Sequence, residues 1–237
     1  MNIADSTVLI TGANRGLGAV FLEKALARGA SKVYAASRTP GTSEDPRVVP
    51  LRIDVTDEQT ILDAAQIADD VTLVINNAGI ANHAPLATGD IAAIRADMDT
   101  NFWGPVLMTR AFAPVLAAQG GGTVLNVLSA AAWMPLLHSY SASKAAMWSA
   151  TNSMRSELLP QSIHVVDTVL GFVRTEMSTE FVGLVPMIEA DFAVNAVYDQ
   201  LEAGRYEIIV DDTGRDMKQL LALPPEEIPA AFGGLQG

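Results

Sequence analysis

The stretch Thr7-Val8-Leu9-Ile10-Thr11-Gly12-Ala13-Asn14-Arg15-Gly16-Leu17-Gly18 joins an apolar, β-branched run to a glycine-rich turn. The run has the composition of a buried strand. Beyond the turn, Leu17, Val20, Phe21, Ala25 and Leu26 form one apolar side of a helix, and Gly29 supplies its stop. Strand, turn and helix in that order present backbone N–H groups and a helix N-terminus to a phosphate. An ordinary glycine-rich loop is the plainer explanation of the turn alone. The elements on either side favour nucleotide binding over it.

A second strand, Lys32 to Ala36, ends at Ser37-Arg38. In dinucleotide folds an acidic residue near this point bonds the adenosine ribose hydroxyls, whereas an arginine accommodates a 2′-phosphate. Here the acid is missing and Arg38 is present. Arg15, inside the glycine-rich turn, is a second arginine whose forked donors match phosphate. Either could be a solvated surface residue. Together, in a chain whose net charge is −12, they are local donors for an anion, and they favour NADP over NAD.

Further along, Val48 to Ile53 reads as a third strand ending at Asp54, and Thr56-Asp57-Glu58-Gln59 as a capping box opening a helix. Val71 to Ile75 is a fourth strand, followed by the turn Asn76-Asn77-Ala78-Gly79, placed where open α/β sheets bind ligands. A long helical region from about Asp90 to Ala118 contains Asn101-Phe102-Trp103-Gly104-Pro105, and the Gly-Pro pair is expected to bend it. Thr123 to Leu128, Ile163 to Leu170 and Glu207 to Val210 complete seven strands. Strands and helices alternate without repeat or linker. The expected architecture is a single-domain, doubly wound Rossmann fold of α/β class with a mostly parallel seven-stranded sheet, its core at about 6–170 and a substrate loop and C-terminal part at 171–237.

On the helix expected from about Tyr140 to Leu158, Tyr140 and Lys144 stand four residues apart and share a face. A fixed ammonium favours the phenolate, so Lys144 is expected to lower the pKa of Tyr140. Moving a phenol from about 10 to about 7 requires roughly 4 kcal/mol, more than one exposed lysine supplies. Partial burial or a cationic cofactor ring would have to contribute. The result is an acid/base that exchanges a proton near neutral pH.

Composition bounds the rest. Hydrophobic residues at 49% and charged residues at 18% allow a large core and exclude disorder. No apolar run reaches membrane-spanning length, and the first residues lack the basic and apolar regions of a signal peptide. No cluster of Lys and Arg marks a nucleic-acid face. The chain has no cysteine, hence no disulfide framework and no thiolate metal site, and no His/Asp/Glu spacing suggests a metal. A cytoplasmic location is expected.

With these motifs in order the chain resembles the classical short-chain dehydrogenases/reductases. Thr11-Gly12 to Gly16-x-Gly18 matches their TGxxxGxG turn, Asn76-Asn77-Ala78-Gly79 their NNAG, and Tyr140/Lys144 their YxxxK pair. Asn101 and Ser129 match the helix asparagine and the serine after the fifth strand. The likeness runs from Thr7 to about Thr175. It implies an NADP(H)-dependent oxidoreductase acting on a small carbonyl or alcohol. Tyr140 would be the acid/base, supported by Lys144, with Ser129 donating to the substrate oxygen and Asn101 holding a water that connects Lys144 to solvent. Cofactor contacts would come from Gly12, Asn14, Arg15, Gly16, Leu17, Gly18, Ser37, Arg38, Asp54, Val55, Asn77, Ala78, Gly79, Tyr140, Lys144, Val173 and Thr175. A homodimer or homotetramer is implied, through the helices after Asp90 and after Tyr140.

The departures are informative. Leu170-Gly171 replaces the family's Pro-Gly, the segment between Ser129 and Tyr140 is short, and Pro224-Pro225 with the stretch from Ala230 forms an atypical tail. Trp133, Met134, Leu136, Leu137, Phe172, Met177 and Phe181 cluster in the two segments that should flank the pocket. They imply an apolar or aromatic ketone or aldehyde, with Trp133, His138 and Phe172 as candidate substrate contacts, although such residues also serve as core or subunit contacts. His83 and His164 read as surface positions. Two other readings compete: a non-catalytic NADP(H) sensor on the same fold, and an epimerase or dehydratase. The first would be expected to lose Tyr140 or Lys144, and the second usually has a longer C-terminal domain.

Overall fold

The computed structural model describes residues 1–224 and 226–228 of the 237-residue chain. Pro225 and the tail from Ala230 singled out in the sequence lie outside them. The described residues hold nine strands: β1 (Thr7–Thr11), β2 (Lys32–Ser37), β3 (Val48–Arg52), β4 (Leu73–Asn76), β5 (Gly122–Ser129), β6 (Ile163–Leu170), β7 (Val173–Arg174), β8 (Ile188–Glu189) and β9 (Glu207–Ile209). The helices are α1 (Gly16–Ala27), α2 (Glu58–Ile67), α3 (Ile91–Met98), α4 (Gly104–Ala118), α5 (His138–Leu158), α6 (Ala190–Glu202) and α7 (Asp212–Leu220).

Seven strands form one sheet in the order β3-β2-β1-β4-β5-β6-β9, and every neighbouring pair is parallel. Because successive side chains of a strand point to opposite faces, each strand feeds two cores. Leu9, Val74 and Val124 pack under α2, α4 and α5 with Ile61, Met108, Phe112, Leu116 and Met147. Their neighbours Val8, Ile10, Leu73, Ile75 and Leu125 pack under α1 and α6 with Phe21, Ala25, Val194 and Tyr198. Fully burying a side chain such as Phe112 or Leu116 contributes about 1.5–3 kcal/mol.

Three local features differ from expectation. The cap of α2 is Asp57, whose carboxylate accepts from Gln59 N–H, because Thr56 instead donates its hydroxyl to Asp54. The helical region after Asp90 is interrupted by a π-helical turn, Asp99–Trp103, and Pro105, which has no N–H to give to the preceding turn, follows it in the first turn of α4. Finally, β7 and β8 pair as a separate two-stranded parallel ribbon, which carries a short 3-10 segment, Glu176–Phe181.

Candidate active site

The order reversal in the sheet lies between β1 and β4, and the turns that leave their carboxyl ends are tied together. Thr11 Oγ1 accepts from the N–H groups of Asn77 and Ala78, both at 3.0 Å, while Asn77 Nδ2 donates to the Thr11 carbonyl at 2.9 Å. Gly12 has φ +68°, and a Cβ there would sit 3.1 Å from Ala78. A side chain on Gly18 would run into the Gly12 carbonyl. The turn is thus a cradle of bare backbone at the start of α1.

Neighbouring groups suit a dinucleotide. Asn14 Nδ2 donates to the Thr39 carbonyl at 2.7 Å and holds the loop after β2 against the cradle. A cleft lined by Asn14, Ala35, Thr42 and Ser43 opens there. At the end of β2 the Ser37 hydroxyl is buried without a hydrogen-bond partner among the described residues, and Arg38 follows it, exposed. Burial pushes the Asp54 carboxyl up, but the Thr56 N–H and hydroxyl, with Arg38 and Arg52, hold it below its ordinary value. Val55 is buried against Gly104. Val173 lies buried in β7, and Thr175 caps the 3-10 segment with Ser178. These residues fit a nicotinamide dinucleotide with a negatively charged group near Ser37 and Arg38.

α5 brings the reactive pair to the same end of the sheet. Its inward stripe contains Ser143, Lys144, Met147, Thr151 and Met154, so the apolar residues lock the helix to the sheet while the polar end meets β5. Lys144 Nζ donates to the Val127 carbonyl at 2.9 Å and lies 5.7 Å from the centre of the Tyr140 ring. It is also 3.8 Å from where a side chain on Gly79 would begin. Burial pushes the Tyr140 phenol up to about 12; the Ser129 hydroxyl opposes that rise and the Asp97 carboxylate adds to it. Burial likewise brings the Lys144 amine down to about 8. The expected lowering of the Tyr140 pKa by Lys144 is therefore not found in the protein alone, because desolvation penalises both charged forms.

Asn101 projects from the π-helical turn. Its Oδ1 accepts from Ile80 N–H at 3.0 Å, and its Nδ2 donates to the Ile80 carbonyl at 2.8 Å and to Ser143 Oγ at 3.0 Å. It braces the turn after β4 against α5. Ser129 ends β5, and its hydroxyl accepts from Ala131 N–H.

The candidate substrate residues separate. Phe172 packs at a tilt against Phe181 with ring centres 4.9 Å apart, and Phe181 meets His83, 6.0 Å away, whose ring stands edge-on to Tyr140 at 5.8 Å. Trp133, by contrast, is only 6% exposed and packs perpendicular to Trp148 in the core, with Lys218 over its ring. It is a core residue, not part of that aromatic row. His138 is exposed at the first residue of α5, with φ +48°. His83 was missed as a surface position. It reaches the site because the chain after Gly79 crosses the start of α5, where Ser139 Oγ accepts from Ala84 N–H at 2.9 Å. No spacing rule in the sequence reports that crossing. His164, as expected, lies at the surface, against Tyr206.

Among the described residues no group of three acidic or histidine side chains is arranged to hold a metal, and no helix is long and apolar enough to cross a membrane.

Comparison with known proteins gives a consistent result. Residues 6–182 match the family model described as short chain dehydrogenase. A short chain dehydrogenase from Burkholderia cenocepacia J2315, solved in complex with NADP, is 40% identical, aligns over 100% of both chains and has a TM-score of 0.89. The 11-beta-hydroxysteroid dehydrogenase 1A of Arabidopsis thaliana is 33% identical over 196 residues, which are 75% of this chain and 55% of that protein. The NADPH-dependent 1-acyldihydroxyacetone phosphate reductase of Schizosaccharomyces pombe is 32% identical over 206 residues, 82% of this chain and 68% of that protein. The chain thus spans between 55% and 68% of the length of these two curated relatives.

Proposed function

This chain belongs to the short-chain dehydrogenase/reductase family of oxidoreductases, and we propose that it interconverts a ketone or aldehyde and the corresponding alcohol with NADP(H). The observation that carries the reading is the meeting of Ser129, Tyr140 and Lys144 with Gly79 and the Gly12–Gly18 cradle at one end of the sheet. When bound, the dinucleotide supplies hydride in reduction and accepts it in oxidation. The chain's own residues handle the oxygen. Tyr140 Oη gives a proton to it in reduction and takes one from it in oxidation. The Ser129 hydroxyl donates a hydrogen bond to it as negative charge develops. Lys144, with its pKa near 8, still carries its proton at neutral pH and stabilises charge on the phenol. Asn101 holds the turn after β4 and α5 in register.

Support for NADP comes from Arg15, from Arg38 beside the unpartnered Ser37 hydroxyl, and from the NADP-bound Burkholderia relative. Support for an apolar or aromatic substrate comes from the row of Phe172, Phe181 and His83 leading to Tyr140. Two relatives are named for a hydroxysteroid and an acylated dihydroxyacetone phosphate, both with large apolar parts. A homo-oligomer formed through α4 and α5 is part of the proposal, and the 51% exposed Trp103 beside α4 supports it. The test is NADPH oxidation with a panel of ketones, comparing wild type with Tyr140→Phe. Loss of at least about a hundredfold in kcat with NADPH binding retained is expected. Full activity in the variant would sink the acid/base role, and tight NADPH binding by the wild type without turnover of any carbonyl would favour a sensor.

A further inference from the structure

Asp97, on α3, is fully buried, and the mechanism above gives it nothing to do. Its partners are all donors, and none is charged. Oδ1 accepts from Asn82 N–H at 3.1 Å and from Asn82 Nδ2 at 2.9 Å, and Oδ2 accepts from Ser139 Oγ at 2.5 Å. A carboxyl group that only accepts is the ionised form. Burying such a charge without a counter-ion is costly. The same hydroxyl of Ser139 accepts from Ala84 N–H, and Ser139 N–H donates to the Ala84 carbonyl at 3.2 Å.

The network therefore clamps both neighbours of His83. His83 itself is held at φ +52°, outside the regions a side-chain-bearing residue prefers. Its ring is thereby kept edge-on to Tyr140. The other end of the clamp, Ser139, directly precedes Tyr140. One buried carboxylate thus reaches the reactive phenol by two routes, through the backbone of α5 and through the 82–84 loop.

We propose that Asp97 is a positioning residue for Tyr140, whose buried charge and hydrogen bonds to Ser139 and Asn82 set the place and the electrostatic surroundings of the phenol. Its effect is directional, because a phenol ready to donate serves carbonyl reduction. The charged and titratable groups facing Tyr140 are Lys144 from its own helix, His83 with Glu180 behind it at 3.4 Å, and Asp97 from α3; the Ser129 hydroxyl faces it from β5. The Ser129 hydroxyl favours the phenolate and Asp97 disfavours it. The direction of the Asp97 contribution to the Tyr140 proton affinity agrees with the geometry.

The inference rests on Tyr140 being the acid/base, so the experiment reads Tyr140 directly. The chain has four tyrosines, and 13Cζ-tyrosine NMR of the NADP⁺-loaded protein, with Tyr140→Phe for assignment, follows the phenol from about pH 6 to about pH 11. Asp97→Asn keeps the shape and removes the charge. Its Tyr140 midpoint should fall by about one pH unit, a tenfold change in proton affinity. An unchanged midpoint in the folded variant overturns the proposal, whether or not a carbonyl is ever turned over. Should Asp97→Asn fail to fold, Ser139→Ala carries the test, since it keeps the carboxylate and cuts its link to α5. The expected result is a midpoint no lower than wild type, with the ring-current shift of the His83 ring protons altered. A midpoint lowered by a full unit in Ser139→Ala would overturn the charge assignment.

Discussion

The Arg15 guanidinium donates to the Glu176 carboxylate, Nη1 to Oε2 at 3.0 Å, from the glycine-rich turn to the segment after β7. Both side chains are more than 70% exposed, so the pair is weak. An arginine that clamps a phosphate must release that carboxylate first. Glu176→Gln is therefore expected to tighten NADPH binding by about two- to fivefold, measured by titration calorimetry, with less gain at high salt. Weaker binding would show that Glu176 orders Arg15 for the phosphate.

Arg38 is the residue proposed to separate the two cofactors. It is exposed at the end of β2, next to the buried, unpartnered Ser37 hydroxyl. Arg38→Asp should weaken NADPH by about tenfold to a hundredfold, the range of a charge-assisted hydrogen bond worth about 1.5–3 kcal/mol. NADH should be affected far less. Equal losses in paired dissociation constants would remove Arg38 from the 2′-phosphate site.

The buried pair also makes stability depend on pH. Lys144 titrates near 8 in the folded protein and at about 10.4 unfolded. Between those values the unfolded chain binds the extra proton, so stability rises with pH there, by about 3 kcal/mol. Tyr140 titrates near 12 folded and at about 10 unfolded. The folded state then keeps a proton the unfolded state has lost, and stability falls from about pH 10 to about pH 12. Urea unfolding of the cofactor-free protein from about pH 7 to about pH 10 should show the rise in wild type and a flattened profile in Lys144→Met.

Trp133 belongs to the core, and its replacement should read out as stability. Trp133→Ala is expected to cost about 3–5 kcal/mol and to leave the preference between aryl and small aliphatic ketones unchanged. Its indole N–H is buried with no partner among the described residues. Trp133→Phe removes that unsatisfied donor along with part of the ring and should cost much less than the alanine change. Chemical denaturation of the two variants, with competition between ketones, checks both statements.

The sheet was legible because buried parallel strands are continuous apolar runs, and all seven expected strand positions fall within a residue or two of those observed. The cradle and the Tyr140/Lys144 pair were legible because each is local, a turn or a single helical spacing. Trp133 and His83 were misplaced for the converse reason. Whether an aromatic side chain or an imidazole faces a pocket depends on which distant elements meet it, here α7 over Trp133 and α5 beneath the 82–84 loop. The chain from Glu176 to Tyr206 also yielded no element from sequence, although α6 buries Ala193, Val194, Val197, Tyr198 and Leu201 on one stripe. The electrostatics of the pair were the least legible, since desolvation is a property of the packed site and leaves no mark on spacing.

The π-helical turn Asp99–Trp103 sets α3 and α4 out of phase with each other. An α-helix advances about 100° per residue, and a π turn takes up an extra residue within the same helical run. Asn101 can thereby point at Ile80 and Ser143 while Met108, Phe112 and Leu116 still face the sheet. Removing one residue from this turn would restore regular winding and rotate one of those two sets away from its partners. The length of residues 99–103 is therefore fixed by a conflict of phase between the site and the core, so this segment should tolerate substitution far better than insertion or deletion.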